Sequence, residues 1–297
     1  MTDRVGLIGL GIMGSAYAGH FIDAGFVTTG FDVAPGAARR FAQRGGNVAA
    51  TCRDVAESAG IVISALPSAA ALEAAFFGPD GLAAGARAGL IVVEASTLPL
   101  VVKERARAGL FARGVTLLDA PVSGTGSQAA AKDIVFYVSG ERAAYDATLD
   151  VLNATARSVR YVGEFGAGSK LKYIANLLVT IHNLSTAEAV VLAQKAGIDP
   201  TLMLEVVGDG AGASRMLGVR GPMMVAGRYD EPTMKLDVYQ KDIDIIADFA
   251  QEVGAPTPLF TRSAAFYATA LAQGRGKQDT AAIASVLKEM AGLPADP

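Results

Sequence analysis

One cysteine, Cys52, in a chain of 297 residues leaves no partner for an internal disulfide, and two histidines, His20 and His182, provide no cluster of zinc-like spacing. The expectations are a cytoplasmic protein with no metal site, and a Cys52 that is inert packing. An excess of charge of one sign is also missing. A net charge of -3 and a pI near 5.5 provide no basic face for nucleic acid or an anionic membrane, so neither partner is expected. The opening Met1-Thr2-Asp3-Arg4 has no basic or apolar leader region and runs straight into an apolar strand. The longest helix-forming stretch, 168–196, is interrupted by Lys170, Lys172, Asn176, His182, Asn183, Glu188 and Lys195. It reads as a helix buried in protein, not as a membrane span. Repeats, low-complexity tracts and flexible linkers are absent as well.

What is present is the balance of a soluble globular protein, 51% hydrophobic and 19% charged, at a length that suggests two domains. Short β-branched runs at 5–8, 27–31, 61–65, 90–93, 116–119 and 134–138 alternate with Ala-rich helical segments at 15–24, 35–44, 69–76 and 100–113. Such alternation requires crossover connections and predicts an α/β domain, a doubly wound and largely parallel sheet of Rossmann type, over 1–163. Beyond it the strand signal ends. Helices at 168–196, 200–207, 234–253, 258–272 and 280–290 predict an all-helical domain over 164–297, for substrate and oligomer contacts, with a ligand cleft between the two domains.

The turn Gly9-Leu10-Gly11-Ile12-Met13-Gly14 fits G-x-G-x-x-G, with an apolar strand before it and a helix after it. The first glycine permits the tight turn, the second lets a pyrophosphate approach the backbone, and the third allows close helix–strand packing. Asp32, at the tip of the second strand, suits the adenosine ribose hydroxyls and repels a 2′-phosphate, which favours NAD. Arg39 and Arg40 on the next helix keep NADP possible. Leu66-Pro67 and Ser96-Thr97 follow two further strands, where open α/β sheets bind ligands, although a serine or threonine there also serves simply as a helix cap.

Asp119-Ala120-Pro121-Val122-Ser123-Gly124-Thr125-Gly126 can present backbone N–H groups and the Ser123 hydroxyl to a carboxylate. Lys172, Asn176 and Asn183 share one face of an otherwise apolar helix. Buried polar groups must find partners or line a cavity. A surface lysine is the plain alternative for Lys172, and His20 and His182, without partnering residues, read as packed or surface side chains.

These segments, in this order, resemble the 3-hydroxyisobutyrate dehydrogenase family, the short β-hydroxyacid dehydrogenases related to 6-phosphogluconate dehydrogenase. The resemblance covers nearly the whole chain and includes Gly166-Ala167-Gly168-Ser169-Lys170-Leu171-Lys172-Tyr173-Ile174-Ala175-Asn176 and Lys241-Asp242. It implies an NAD(P)-dependent oxidoreductase that oxidises the hydroxyl of a small β-hydroxy acid, with Lys172 as general acid/base. It further implies Ser123, Gly124 and Asn176 at the substrate, and Thr97 and Lys241 near the nicotinamide end; Thr125, next in the loop, is a substrate-binding candidate because it borders the inferred cleft. By itself, a Lys-Asp pair on a helix reads as a solvated face. The chain departs from the family pattern at Thr125, Ala175 and Arg215, which leaves the particular acid open; Arg215 is a candidate for a second substrate anion. Reduction of a small semialdehyde acid is the alternative activity, and a non-catalytic dinucleotide-binding protein the alternative outside enzymes. Apolar faces on the helical domain imply a homodimer or homotetramer.

Overall fold

The structure, a computed structural model, describes residues 3–296. The first unit contains strands β1 (Arg4–Ile8), β2 (Val27–Phe31), β3 (Asn47–Val48), β4 (Ile61–Ser64), β5 (Ile91–Glu94), β6 (Thr116–Asp119), β7 (Val122–Ser123), β8 (Val135–Val138) and β9 (Ser158–Tyr161). Helices α1 (Ile12–Asp23), α2 (Pro35–Gln43), α3 (Cys52–Ser58), α4 (Ala69–Phe77), α5 (Leu82–Gly85), α6 (Leu100–Phe111), α7 (Gly126–Ala130) and α8 (Arg142–Asn153) connect them. Six strands form one parallel sheet in the order β3-β2-β1-β4-β5-β6. The strand order reverses between β1 and β4, which places a ligand crevice at the carboxyl ends of those strands.

Why the strands read as continuous apolar runs is visible in their burial. Val5 and Leu7 of β1, Ile61 and Ile63 of β4, Val93 of β5 and Leu118 of β6 enter one core, while Ile8, Val62, Val92 and Leu117 enter a second core. Side chains alternate in a strand, so a sheet covered on both faces needs apolar residues at successive positions. One expectation changes. The run at 134–138 does not join the parallel sheet; β8 sits in a second sheet, β7-β8-β9, antiparallel to β7 and parallel to β9. The sixth parallel strand is the two-residue β3, too short to show periodicity.

Among the described residues no strand follows Tyr161. Helices α9 (Ala167–Lys195), α10 (Pro200–Gly208), α11 (Arg215–Ala226), α12 (Leu236–Glu252), α13 (Pro258–Ala272) and α14 (Ile283–Met290) make up the remainder. The chain divides into compact units after Lys172, so the division falls inside α9 and not in the glycine-rich loop before it. By length and composition α9 could cross a membrane. Two of its buried polar side chains have partners within the second unit: the Asn183 amide donates to Tyr267 Oη at 2.9 Å and to the Thr280 carbonyl at 2.8 Å, and Thr180 bonds Tyr239 Oη at 3.0 Å. Asn183 is therefore a core residue of the helical unit and not a third member of a polar site face.

The helical unit also buries an ion pair, Arg220 to Asp279 at 3.2 Å, and Asp279 accepts further bonds from Thr233, Met234 and Ala281 N–H groups. Burial by itself raises the Asp279 pKa, but Arg220 and these donors outweigh it and hold the group below its usual 3.8. A lowered carboxylate contributes stability that is complete above its unfolded pKa and lost as pH falls through the folded value. Asp279→Asn, which leaves Arg220 buried without its counter-charge, is expected to cost about 3–5 kcal/mol at neutral pH. In urea unfolding the gap from the parent should narrow as the pH is taken below 3.8. A gap independent of pH would show that the charge is not what matters.

Candidate active site

The glycine-rich turn is built as its spacing implies. Gly9 has φ +90°, and a Cβ there would lie 2.3 Å from the Ala65 carbonyl oxygen. A Cβ on Gly14 would lie 1.9 Å from the Gly9 carbonyl oxygen, so helix and turn touch through bare backbone. At Gly11 a Cβ would meet no protein atom within 4 Å. The space beside Gly11 is open while its two companions are tightly packed, as a passing pyrophosphate requires. No side chain caps α1, and Ile12 is exposed, so the helix start is available to an anion. The residues present fit a dinucleotide.

Asp32 is held in place by Leu10 N–H, which donates to Oδ2 at 2.7 Å, and by Ala34 N–H, which donates to Oδ1 at 2.7 Å. Its remaining lone pairs suit ribose hydroxyls. Arg39 and Arg40 are exposed on α2. The loops after β4 and β5 are joined: Leu66 N–H donates to Ser96 Oγ at 2.8 Å, and Ser96 N–H to Glu94 Oε1 at 3.0 Å. Ser96 is thus a loop clasp, next to Pro67 and Thr97 at the sheet's carboxyl edge.

Ser123 ends β7 and Gly124 follows with φ +143°, where a Cβ would lie 2.6 Å from Ile134. Thr125 takes a different part from the one expected of it. It caps α7 and forms a capping box with Gln128, so its hydroxyl serves the helix start. Helix α7 packs on α1: a Cβ on Gly126 would meet Ile12 at 2.2 Å, and His20 Nε2 bonds the Ala129 carbonyl at 2.8 Å. His20 is a packed histidine that seats the Ser123 loop beside the dinucleotide helix.

The first turn of α9 lies directly on the Asp119–Pro121 segment; a Cβ on Gly168 would meet the Asp119 carbonyl oxygen at 2.9 Å. Ser169 donates to Asp119 twice, from its N–H at 2.8 Å and from its Oγ at 2.7 Å, and Gly168 N–H donates to Ser139 Oγ at 3.0 Å. A carboxylate at a helix N-terminus satisfies open N–H groups and complements the dipole. One turn on, Lys172 is 9% exposed, whereas Lys170 points to solvent. Asn176 lies a further turn along and is buried; its amide donates to Asp242 Oδ2 at 2.8 Å, while Asp242 Oδ1 pairs with Lys241 at 2.8 Å.

The Lys241-Asp242 pair is therefore not a solvated face, since Asp242 is 8% exposed and ties α12 to Asn176. Residue type and spacing did not reveal that tie, because the partners are far apart in sequence. Arg215 opens α11 and is exposed. Sequence reasoning also passed over Glu94, Lys103, Asp119 and Ser169 as functional residues. Lys103 Nζ lies 2.7 Å from Glu94 Oε2 and 2.8 Å from Asp119 Oδ1, with all three side chains fully buried. Cys52 is buried, and burial pushes its thiol up to about 11, in keeping with an inert packing residue.

Comparison with known proteins agrees with this architecture. Residues 4–163 match the family described as the NAD binding domain of 6-phosphogluconate dehydrogenase. Residues 166–287 match the NAD-binding region of NADP-dependent 3-hydroxyisobutyrate dehydrogenase. An L-threonate dehydrogenase of Cupriavidus necator is 33% identical, with 96% of each chain covered. Another, from Haemophilus influenzae, is 34% identical over 95% of this chain and 94% of its own. A solved structure of 3-hydroxyisobutyrate dehydrogenase from Salmonella typhimurium superposes with a TM-score of 0.86 at 33% identity, covering 95% of this chain and 99% of that one. The glycine turn, the Ser123 loop and the Lys172 helix thus stand in a chain that belongs to the 3-hydroxyisobutyrate dehydrogenase family, the NAD(P)-dependent oxidoreductases of small hydroxy acids.

Proposed function

We propose that this enzyme oxidises a small polyhydroxy acid of the threonate kind with NAD, using Lys172 as the general base. The observation that carries the reading is a lysine buried to 9% exposure on α9, one helical turn from a buried asparagine. A charged group is rarely buried without a purpose. Gly9, Leu10, Gly11, Ile12, Met13 and Gly14 hold the dinucleotide phosphates, Asp32 the adenosine ribose, and Leu66, Pro67, Ser96 and Thr97 line its path. Held by these residues, the dinucleotide would supply the acceptor for the hydride of the alcohol carbon.

Ser123 and the Gly124 backbone receive the substrate carboxylate, with Thr125 fixing the shape of that loop. The Asn176 amide, aimed by Asp242, orients the substrate, and Lys241 serves the nicotinamide end. Lys172 removes the hydroxyl proton as the carbonyl forms, and returns it in the reverse direction. A lysine that works as a base at neutral pH needs its pKa drawn below the ordinary range by desolvation and nearby positive charge. Arg215 is assigned to a second polar group of the acid. The L-threonate dehydrogenases support a polyhydroxy substrate.

The active form is proposed to be a homodimer or homotetramer, since α9 and α10 expose Ile174, Leu178, Leu192, Leu202 and Val206. The cytoplasm is its proposed compartment. The test is NADH formation with threonate, glycerate, serine and 3-hydroxyisobutyrate, repeated with NADP. The highest kcat/KM is expected for threonate with NAD. A clear preference for 3-hydroxyisobutyrate would overturn the polyhydroxy assignment, and a preference for NADP would overturn the role of Asp32.

A further inference from the structure

Buried ion clusters are expensive, and replacing one by apolar side chains is often neutral or stabilising. The cluster of Lys103, Glu94 and Asp119 is fully buried and sets two carboxylates against one ammonium. Its placement is what calls for an account. Glu94 ends β5 and uses its other oxygen on Ser96 N–H at 3.0 Å, and the Ser96 hydroxyl in turn holds Leu66 N–H at 2.8 Å. Asp119 ends β6 and uses its other contacts on the first turn of α9, through Ser169 N–H at 2.8 Å and Ser169 Oγ at 2.7 Å. Ser139, which holds Gly168 N–H, also donates to Asp119 Oδ2 at 3.2 Å.

The side-chain bonds of the cluster outside itself therefore lead to two places, the paired cofactor loops and the start of the helix that carries Lys172. Lys103, from α6, joins them. Burial by itself would draw its pKa down, but Asp119 and Glu94 outweigh this and hold the ammonium above the ordinary lysine range, so the positive charge persists. Tyr17, also fully buried, senses the Glu94 charge; burial and that charge keep its phenol neutral.

We propose that Lys103 is a positioning residue, which locks the cofactor loops at Leu66 and Ser96 to the first turn of α9 and so fixes Lys172 relative to the dinucleotide. The inference rests on the reading of Lys172 as the base. A bond running from loop to helix through rigid strand ends holds reacting groups in register, and small misplacements at such sites lower turnover steeply. The relay lies wholly within the first unit, and its ionic centre is fully buried.

The test is a double-mutant cycle in the full chain, with Ser96→Ala removing the tie to Leu66 N–H and Ser169→Ala removing one of the two Ser169–Asp119 bonds, each deleting a hydroxyl and leaving the backbone bonds to Glu94 and Asp119 and the ion cluster in place. Steady-state kinetics with NAD and threonate, the pH profile of kcat and the thermal midpoint are read for each variant. Ser169→Ala is expected to lower kcat about tenfold and move the acidic limb of the kcat profile, with the KM for NAD unchanged. Ser96→Ala should raise the KM for NAD and also lower kcat. In the double variant the loss in kcat should be smaller than the product of the single losses, because each change loosens the same relay. Losses that simply multiply, or a kcat that falls with no change in its pH profile, would overturn the proposal in favour of a structural role alone. If Ser169→Ala fails to fold, Ser139→Ala takes its place in the cycle. Lys172→Ala is the control: full turnover there would overturn the reading of Lys172 itself, whatever the serine variants do.

Discussion

Lys172→Ala is expected to lower kcat by about 10²–10⁴-fold, the usual contribution of a positioned general base, while NADH still binds. The separation follows from where the two functions sit. The proposed dinucleotide contacts come from the Gly9–Gly14 turn and Asp32, whose shape is set by the Ala65 and Gly9 carbonyls and by Leu10 N–H. The first turn of α9 is anchored through Ser169 and Gly168, so truncating Lys172 leaves the helix start in place. Turnover lost together with NADH affinity would point to a collapsed site, and turnover retained would remove Lys172 from the chemistry. In the active enzyme kcat should rise with pH until Lys172 is deprotonated, and that acidic limb should disappear from whatever activity Lys172→Ala retains.

Gly14→Ala and Gly11→Ala should both weaken NADH binding, for different reasons. The alanine methyl at 14 would stand 1.9 Å from the Gly9 carbonyl, so the turn itself must shift. Forcing a methyl into such a contact costs about 1–3 kcal/mol, or about ten- to hundredfold in affinity if the displaced turn is the binding site. At Gly11 the methyl meets no protein atom within 4 Å, so stability should hardly change and only the ligand is displaced. Titration of NADH by fluorescence, with a thermal midpoint for each variant, separates the two cases. A Gly11→Ala protein that binds NADH as tightly as the parent would mean that the pyrophosphate does not pass there.

Much of this was legible in the chain. Strands buried on both faces announce themselves as unbroken apolar runs, and a turn in which two glycines are enforced by 1.9 and 2.3 Å contacts leaves a recognisable spacing. The short strand β3 was not legible, because two residues have no period, and the sheet that β8 joins was not legible either, because an apolar run does not name its neighbour. Thr125 looked like part of a substrate loop, yet a hydroxyl before a helix is equally a cap, and capping is what it does.

The sequence by itself determined the two-part architecture, the dinucleotide turn and the candidate lysine, since each is set by local spacing: alternate residues in strands, residues one turn apart in helices. Only the tertiary structure decided what holds these parts in register. Lys103 sits in Leu100-Val101-Val102-Lys103-Glu104-Arg105, which reads as an ordinary charged helix face, yet it is fully buried between Glu94 and Asp119. Asp242 likewise turns out to face Asn176. A charge leaves no periodic trace of whether it meets water or a counter-charge, because its partner comes from a distant strand or helix. The packing of those elements alone decides which charges are removed from solvent.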